Sequence, residues 1–230
     1  MEALKNMRVT AKKMTIFVVF AISGMILQAT ALYADPVNIN DTIYLYQGIG
    51  GAGGGGAFNL KNSPSGNVLF ETFCVEKNEF FSPGELEKVA GISSYAKTNN
   101  SDISKGYDGS TGDPLDRRTA YLYYHFRLGD LNTLASLFKY NDPASYNALQ
   151  EAIWYIENEG GSSNYLVELA DKNAVDSLYG VQVLNLTSLD GRIQKQDQLT
   201  LVPEPSTLLL LGAGLLGLGI FGRKKFKAKA

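Results

Sequence analysis

One cysteine and one histidine in 230 residues remove several chemistries at once. Cys74 has no second cysteine to bond, so the fold is not a disulfide framework. No His/Cys/Asp cluster has zinc-ligand spacing. No Gly-x-Ser-x-Gly elbow is present and no Ser-His-Asp order stands out, so hydrolase chemistry lacks a candidate site. His125 lies among aromatics in Thr119–Leu128 and reads as a packed helix residue. Asp102, Asp108 and Asp113 match no EF-hand spacing and read as a solvated loop. No metal or cofactor is expected.

Basic charge is also scarce where it would matter. Residues 35–202 carry 12 Lys and Arg against 21 Asp and Glu, a net charge of −9. An acidic domain repels the phosphate backbone, which excludes nucleic acid as a partner. The glycine-dense run Gly48–Gly56 lacks the Lys-Ser/Thr of a phosphate loop and opens no dinucleotide fingerprint. It reads as a flexible loop or wide hairpin turn.

Long apolar runs occur only at the two ends. Arg8, Lys12 and Lys13 precede an uncharged stretch, Met14 to Leu27, and small residues at Ala29, Ala31 and Ala34 follow. That order predicts a signal peptide over residues 1–34, cut after Ala34 or Ala31, with an uncleaved anchor as the alternative. At the other end, Ser206 to Gly222 is uncharged and is followed at once by Arg223, Lys224 and Lys225. Its 17 residues span roughly 25 Å as a helix, at the short end for a membrane crossing. The trailing positive charges predict a cytoplasmic C-terminus and a preceding domain held outside. A buried core helix is the competing reading, disfavoured for an all-round apolar terminal segment with a basic stop.

The remaining 168 residues, 35–202, suit one domain. Residues 41–47 alternate and read as a strand. Residues 57–60 and 67–76 read as a strand pair, with Cys74 in the second. Residues 92–113 are polar and read as loop. Helices are expected from Asp113-Pro114 to Leu128, as a turn or two over 130–140, from Asp142-Pro143 to Asn158, and over 164–174. Strands over 181–186 and 198–202 close the domain. The fold class is therefore α+β, a β-rich exported domain with a helical segment at about 114–174. Glu151, Glu157 and Glu159 are acids of that segment, and each reads more simply as a solvated charge than as a glycosidase group.

The tail Val202-Pro203-Glu204-Pro205-Ser206-Thr207, with its apolar run and Arg223-Lys224-Lys225, resembles the PEP-CTERM sorting signal of exopolysaccharide-producing Gram-negative bacteria. The resemblance implies recognition by an exosortase, an integral-membrane protease, with cleavage near Pro203 to Pro205. It also implies an inner-membrane stage, with anchorage by the C-terminal helix, and then the cell surface or extracellular matrix.

Phe73-Cys74-Val75-Glu76, Leu149-Gln150-Glu151-Ala152-Ile153-Trp154 and Thr119-Ala120-Tyr121-Leu122 together resemble the thioester domains of bacterial surface adhesins. That resemblance makes Cys74 the thiol and Gln150 the carboxamide of an internal thioester, with Phe73 and Trp154 as a water shield. The family usually has Thr before the glutamine, where this chain has Leu149. The implied function is a non-enzymatic adhesin or matrix protein bonding to a surface ligand or exopolysaccharide. The alternative is a secreted polysaccharide-binding or polysaccharide-acting protein without a thioester.

Overall fold

The computed structural model describes residues 35–51, 55–77, 82–97 and 112–202. The expected leader, the motif Pro203–Pro205, the apolar tail and most of the polar stretch 92–113 lie outside the described residues. Asp35–Val202 forms a compact unit of its own. Among the described residues no helix is long and apolar enough to cross a membrane.

Alternation builds the sheet. Strand β1 (Thr42–Gln47) turns Ile43 and Leu45 inward, and β2 (Phe58–Lys61) turns in Phe58 and Leu60. The short β3 (Phe70–Thr72) adds Phe70, β4 (Leu86–Ser93) adds Val89, and β7 (Val181–Thr187) adds Leu184 and Leu186. Period-two alternation puts such residues on one face. Together with β8 (Gln194–Leu201) they form one antiparallel sheet in the order β3-β2-β1-β4-β7-β8. The pairing β1–β2–β3 is the predicted pair extended to its neighbour, with Phe58 opposite Thr72.

The two edges of this sheet meet. Just past β3, Phe73 accepts the Leu199 N–H at 3.0 Å, and the Val75 N–H donates to Asp197 O at 3.1 Å. Cys74 lies opposite Gln198 in an isolated bridge. Closure satisfies backbone groups that an open edge would leave exposed. It also corrects the expected position of Cys74: strand β3 ends at Thr72, and Cys74 belongs to the segment that crosses to β8.

The helices cover the other face of β7 and β8. Helix α1 (Arg117–Leu128) is capped by Asp116, whose side chain accepts the Arg118 N–H, and it stops at Gly129 in the left-handed region. Asp113-Pro114 therefore does not start this helix; it forms strand β6, paired with β5 (Tyr95–Ala96). Helix α2 (Leu131–Leu134) is a single turn. Helix α3 (Pro143–Ile156) opens as expected, with Asp142 capping Ser145 N–H and proline in the first turn. Helix α4 (Tyr165–Asn173) is capped by Asn164. Phe73, Val75, Val181, Val183, Leu199 and Leu201 meet these helices in a second core, crowded by Phe126, Phe138 and Tyr146. Each such side chain, fully buried, contributes about 1.5–3 kcal/mol.

One buried ion pair ties the ends of the unit together. The Asp35 carboxylate takes Arg127 Nη2 at 2.6 Å and Nη1 at 2.8 Å, Thr200 Oγ1 at 2.9 Å and Leu201 N–H at 2.7 Å. Arg127 stacks over Phe70 and Tyr123.

Candidate functional site

Helix α3 supplies the site from one stripe. Asn147, Gln150 and Trp154 are spaced by three and four residues, so they share a face. Gln150 and Trp154 are fully buried. Residues 150–154 lie in the second half of α3.

The structure brings Cys74 and Gln150 together across 76 residues of sequence. The Cys74 thiol lies 3.4 Å from Gln150 Oε1. That same oxygen accepts the Gly56 N–H at 3.0 Å and the Cys74 N–H at 3.3 Å. Gln150 Nε2 in turn donates to Cys74 O at 2.9 Å. The carboxamide is thus held by both of its ends. Two backbone donors converge on the oxygen that would carry negative charge if a nucleophile added to the Gln150 carbonyl carbon.

Gly51, Gly55 and Gly56, the described ends of the glycine-dense stretch between β1 and β2, make the wall, a role the sequence does not announce. Both ends are held by α3: Gly51 N–H donates to Asn147 Oδ1 at 2.6 Å, and Gly56 N–H to Gln150. Gly56 has φ of +118°, which favours glycine. At Gly55 a Cβ would collide with Trp154 Cζ2 and Cη2 and approach Gln150 Cγ at 2.9 Å. Only glycine lets the loop lie this close. A run of glycines beside a strand end signals close backbone approach as well as flexibility.

The expected shield divides. Trp154 shares the sheet-interior core with Cys74, whereas Phe73 points to the helix-side core against Phe126 and Tyr146. Adjacent residues of an extended segment face opposite ways, so Phe73 does not cover its neighbour. Lys77 Nζ lies 5.1 Å from the Trp154 ring centroid. The buried Trp154 Nε1–H meets no hydrogen-bond acceptor among the described residues. Leu149, where the thioester domains usually have threonine, is buried in the helix-side core.

Two of the acids weighed for polysaccharide chemistry, Glu157 and Glu159, have structural attachments. Glu157 is buried and accepts the Asp116 N–H at 3.2 Å, and burial pushes its carboxyl up to about 8. Glu159 accepts the Lys77 N–H. His125 packs edge-on to Tyr121 and Tyr124, with Nδ1 2.9 Å from Asp130. Among the described residues no group of three or more His, Cys, Asp or Glu could hold a metal ion.

The chain's own comparison with known proteins bears on its end. Residues 201–225 match the PEP-CTERM protein-sorting motif. The motif spans the Pro203-Glu204-Pro205 element, the apolar run and Arg223-Lys224-Lys225. A PEP-CTERM motif implies an exported protein, sorted at the membrane and processed by exosortase, a membrane protein. No curated protein and no solved structure matches the chain.

Proposed function

We propose that residues 35–202 are a non-enzymatic surface or matrix domain in which Cys74 and Gln150 form an internal thioester for covalent attachment to an amine-bearing ligand. The observation that carries this reading is the convergence of the Cys74 thiol, the Cys74 N–H and the Gly56 N–H on Gln150 Oε1. A thiolate is the strongest side-chain nucleophile near neutral pH. The thiol loses its proton and sulfur attacks the Gln150 carbonyl carbon. Oε1 becomes an oxyanion held by the two backbone donors. Collapse breaks the bond to Nε2, which takes up a proton and leaves as ammonia. Backbone donors fill the orienting role that a threonine in place of Leu149 would have had.

The PEP-CTERM tail supports the setting. The apolar run anchors the exported domain at the inner membrane, and cleavage near Pro203 to Pro205 passes it to the cell surface or extracellular matrix. Exopolysaccharide or another surface ligand is the partner. Opening a thioester consumes it, so each molecule reacts once.

Intact mass of the exported protein tests this reading. A formed thioester leaves it about 17 Da lighter than the processed sequence, through loss of ammonia. Native Cys74 then resists iodoacetamide, while Cys74→Ala and Gln150→Ala show the full mass. A full wild-type mass with readily alkylated Cys74 sinks the proposal.

A further inference from the structure

Trp154 is fully buried, yet the cation over its ring belongs to Lys77, an exposed residue. An ammonium over an indole face is held by the ring quadrupole, and tryptophan is the best aromatic for this. Another contact of the ring is fixed: its Cζ2–Cη2 edge lies against Gly55, close to Gln150 Cγ. The cation seat is thus built into the wall of the Cys74–Gln150 pair. A second observation points to a visitor: the buried Trp154 Nε1–H has no acceptor among the described residues. Buried donors are normally satisfied, so an orphan calls for a partner.

We propose that the Trp154 indole is the docking seat for the ammonium of the target, and that Lys77 occupies it until the target arrives. This rests on the thioester reading and names its substrate class and regulation. The target is a lysine side chain or other primary alkylamine, with a neighbouring carbonyl able to accept from Trp154 Nε1. Lys77 is exposed and can swing out, and the incoming cation takes its place. The docked ammonium gives up one proton to solvent. The neutral amine attacks the Gln150 carbonyl carbon, the carbon–sulfur bond breaks, and the Cys74 thiolate takes the second amine proton. The products are a secondary amide at Gln150 and a free thiol at Cys74.

Lys77 therefore slows reaction with cationic amines and not with uncharged nucleophiles. The full chain with Lys77→Ala, treated at pH 7 with cadaverine or with hydroxylamine and followed by intact mass, tests this. Cadaverine keeps a charged end; hydroxylamine is largely neutral. The expected result is cadaverine addition faster than wild type by roughly three- to ten-fold, with the hydroxylamine rate unchanged. Trp154→Phe should slow cadaverine addition by a larger factor than hydroxylamine addition. Equal rates in wild type and Lys77→Ala, or equal acceleration by both nucleophiles, overturn the proposal. So does a light protein with alkylatable Cys74 and a Lys77–Gln150 cross-link, since Lys77 would then be the acceptor. Absence of the mass loss in every variant instead sinks the thioester reading itself.

Discussion

Gly55 abuts Trp154 so closely that a single methyl group would collide with the indole. The contact fixes the ring beside Gln150 and fixes the loop end whose next residue, Gly56, donates to Gln150 Oε1. Gly55→Ala should therefore damage stability and site together. Overpacking of this kind costs about 1–3 kcal/mol. Urea denaturation should show that loss, and intact mass should show a larger fraction without the ammonia loss. A variant as stable as wild type would mean that the loop yields freely.

Asn147 anchors the same loop at its other end through Gly51. Among the described residues its side chain makes no hydrogen bond to Cys74 or Gln150. Asn147→Ala should leave the fold within about 1.5 kcal/mol of wild type, the scale of one hydrogen bond. Thioester formation should nonetheless slow, because the Gly56 donor is held less firmly. Asn147→Asp retains an acceptor and should restore most of the rate in a time course of mass loss.

Asp35 and Arg127 form a pair that is nearly dry, with the Asp35 side chain 2 % exposed and the Arg127 side chain 16 % exposed. Removing one partner strands the other charge. Arg127→Ala should cost about 3–5 kcal/mol. Arg127→Lys should recover only part of this, because one ammonium cannot reproduce two parallel bonds to a carboxylate. Thermal melting of both variants decides the matter; equal midpoints for Arg127→Lys and wild type would contradict the bidentate geometry.

Glu157 sets a pH dependence. Burial raises its carboxyl from the ordinary 4.5 to about 8. Between those values the folded protein keeps a proton that the unfolded chain has released. Its contribution to stability therefore falls as pH rises from about 4.5 to about 8, and is level outside that window. The total fall is on the order of a few kcal/mol. Glu157→Gln should match wild type near pH 5 and exceed it at pH 9. Urea midpoints measured across that range check the difference; parallel curves would show that Glu157 is not held protonated.

The apolar alternation of β1 and the helix starts at Asp142-Pro143 and near residue 164 are legible in the chain because local physics and final fold agree there. Strand β4 was missed because Glu87 is buried where alternation calls for an apolar residue, and a register shift follows at Val89/Gly91. Strand β8 was half seen. Its first residues are polar, yet Gln196, Asp197 and Gln198 are buried between β7 and the segment around Cys74. The meeting of Cys74 with Gln150 has no local signal in the chain. It depends on the crossing from β3 to β8 and on helix–sheet packing. Gly55 and Gly56 read in sequence as flexible loop or wide hairpin turn, because sequence alone does not separate a glycine needed for mobility from one needed for contact.

The clasp at Asp35 has a mechanical meaning. Its carboxylate grips Thr200 and Leu201, three and two residues ahead of Pro203. A molecule restrained by its tail would take up the tension first at β8, the last strand before it. That strand is bonded on one flank to β7 and on the other to residues 73–75. The pull would load both rows of bonds together. With Cys74 joined to α3, the helical layer would share the strain as well.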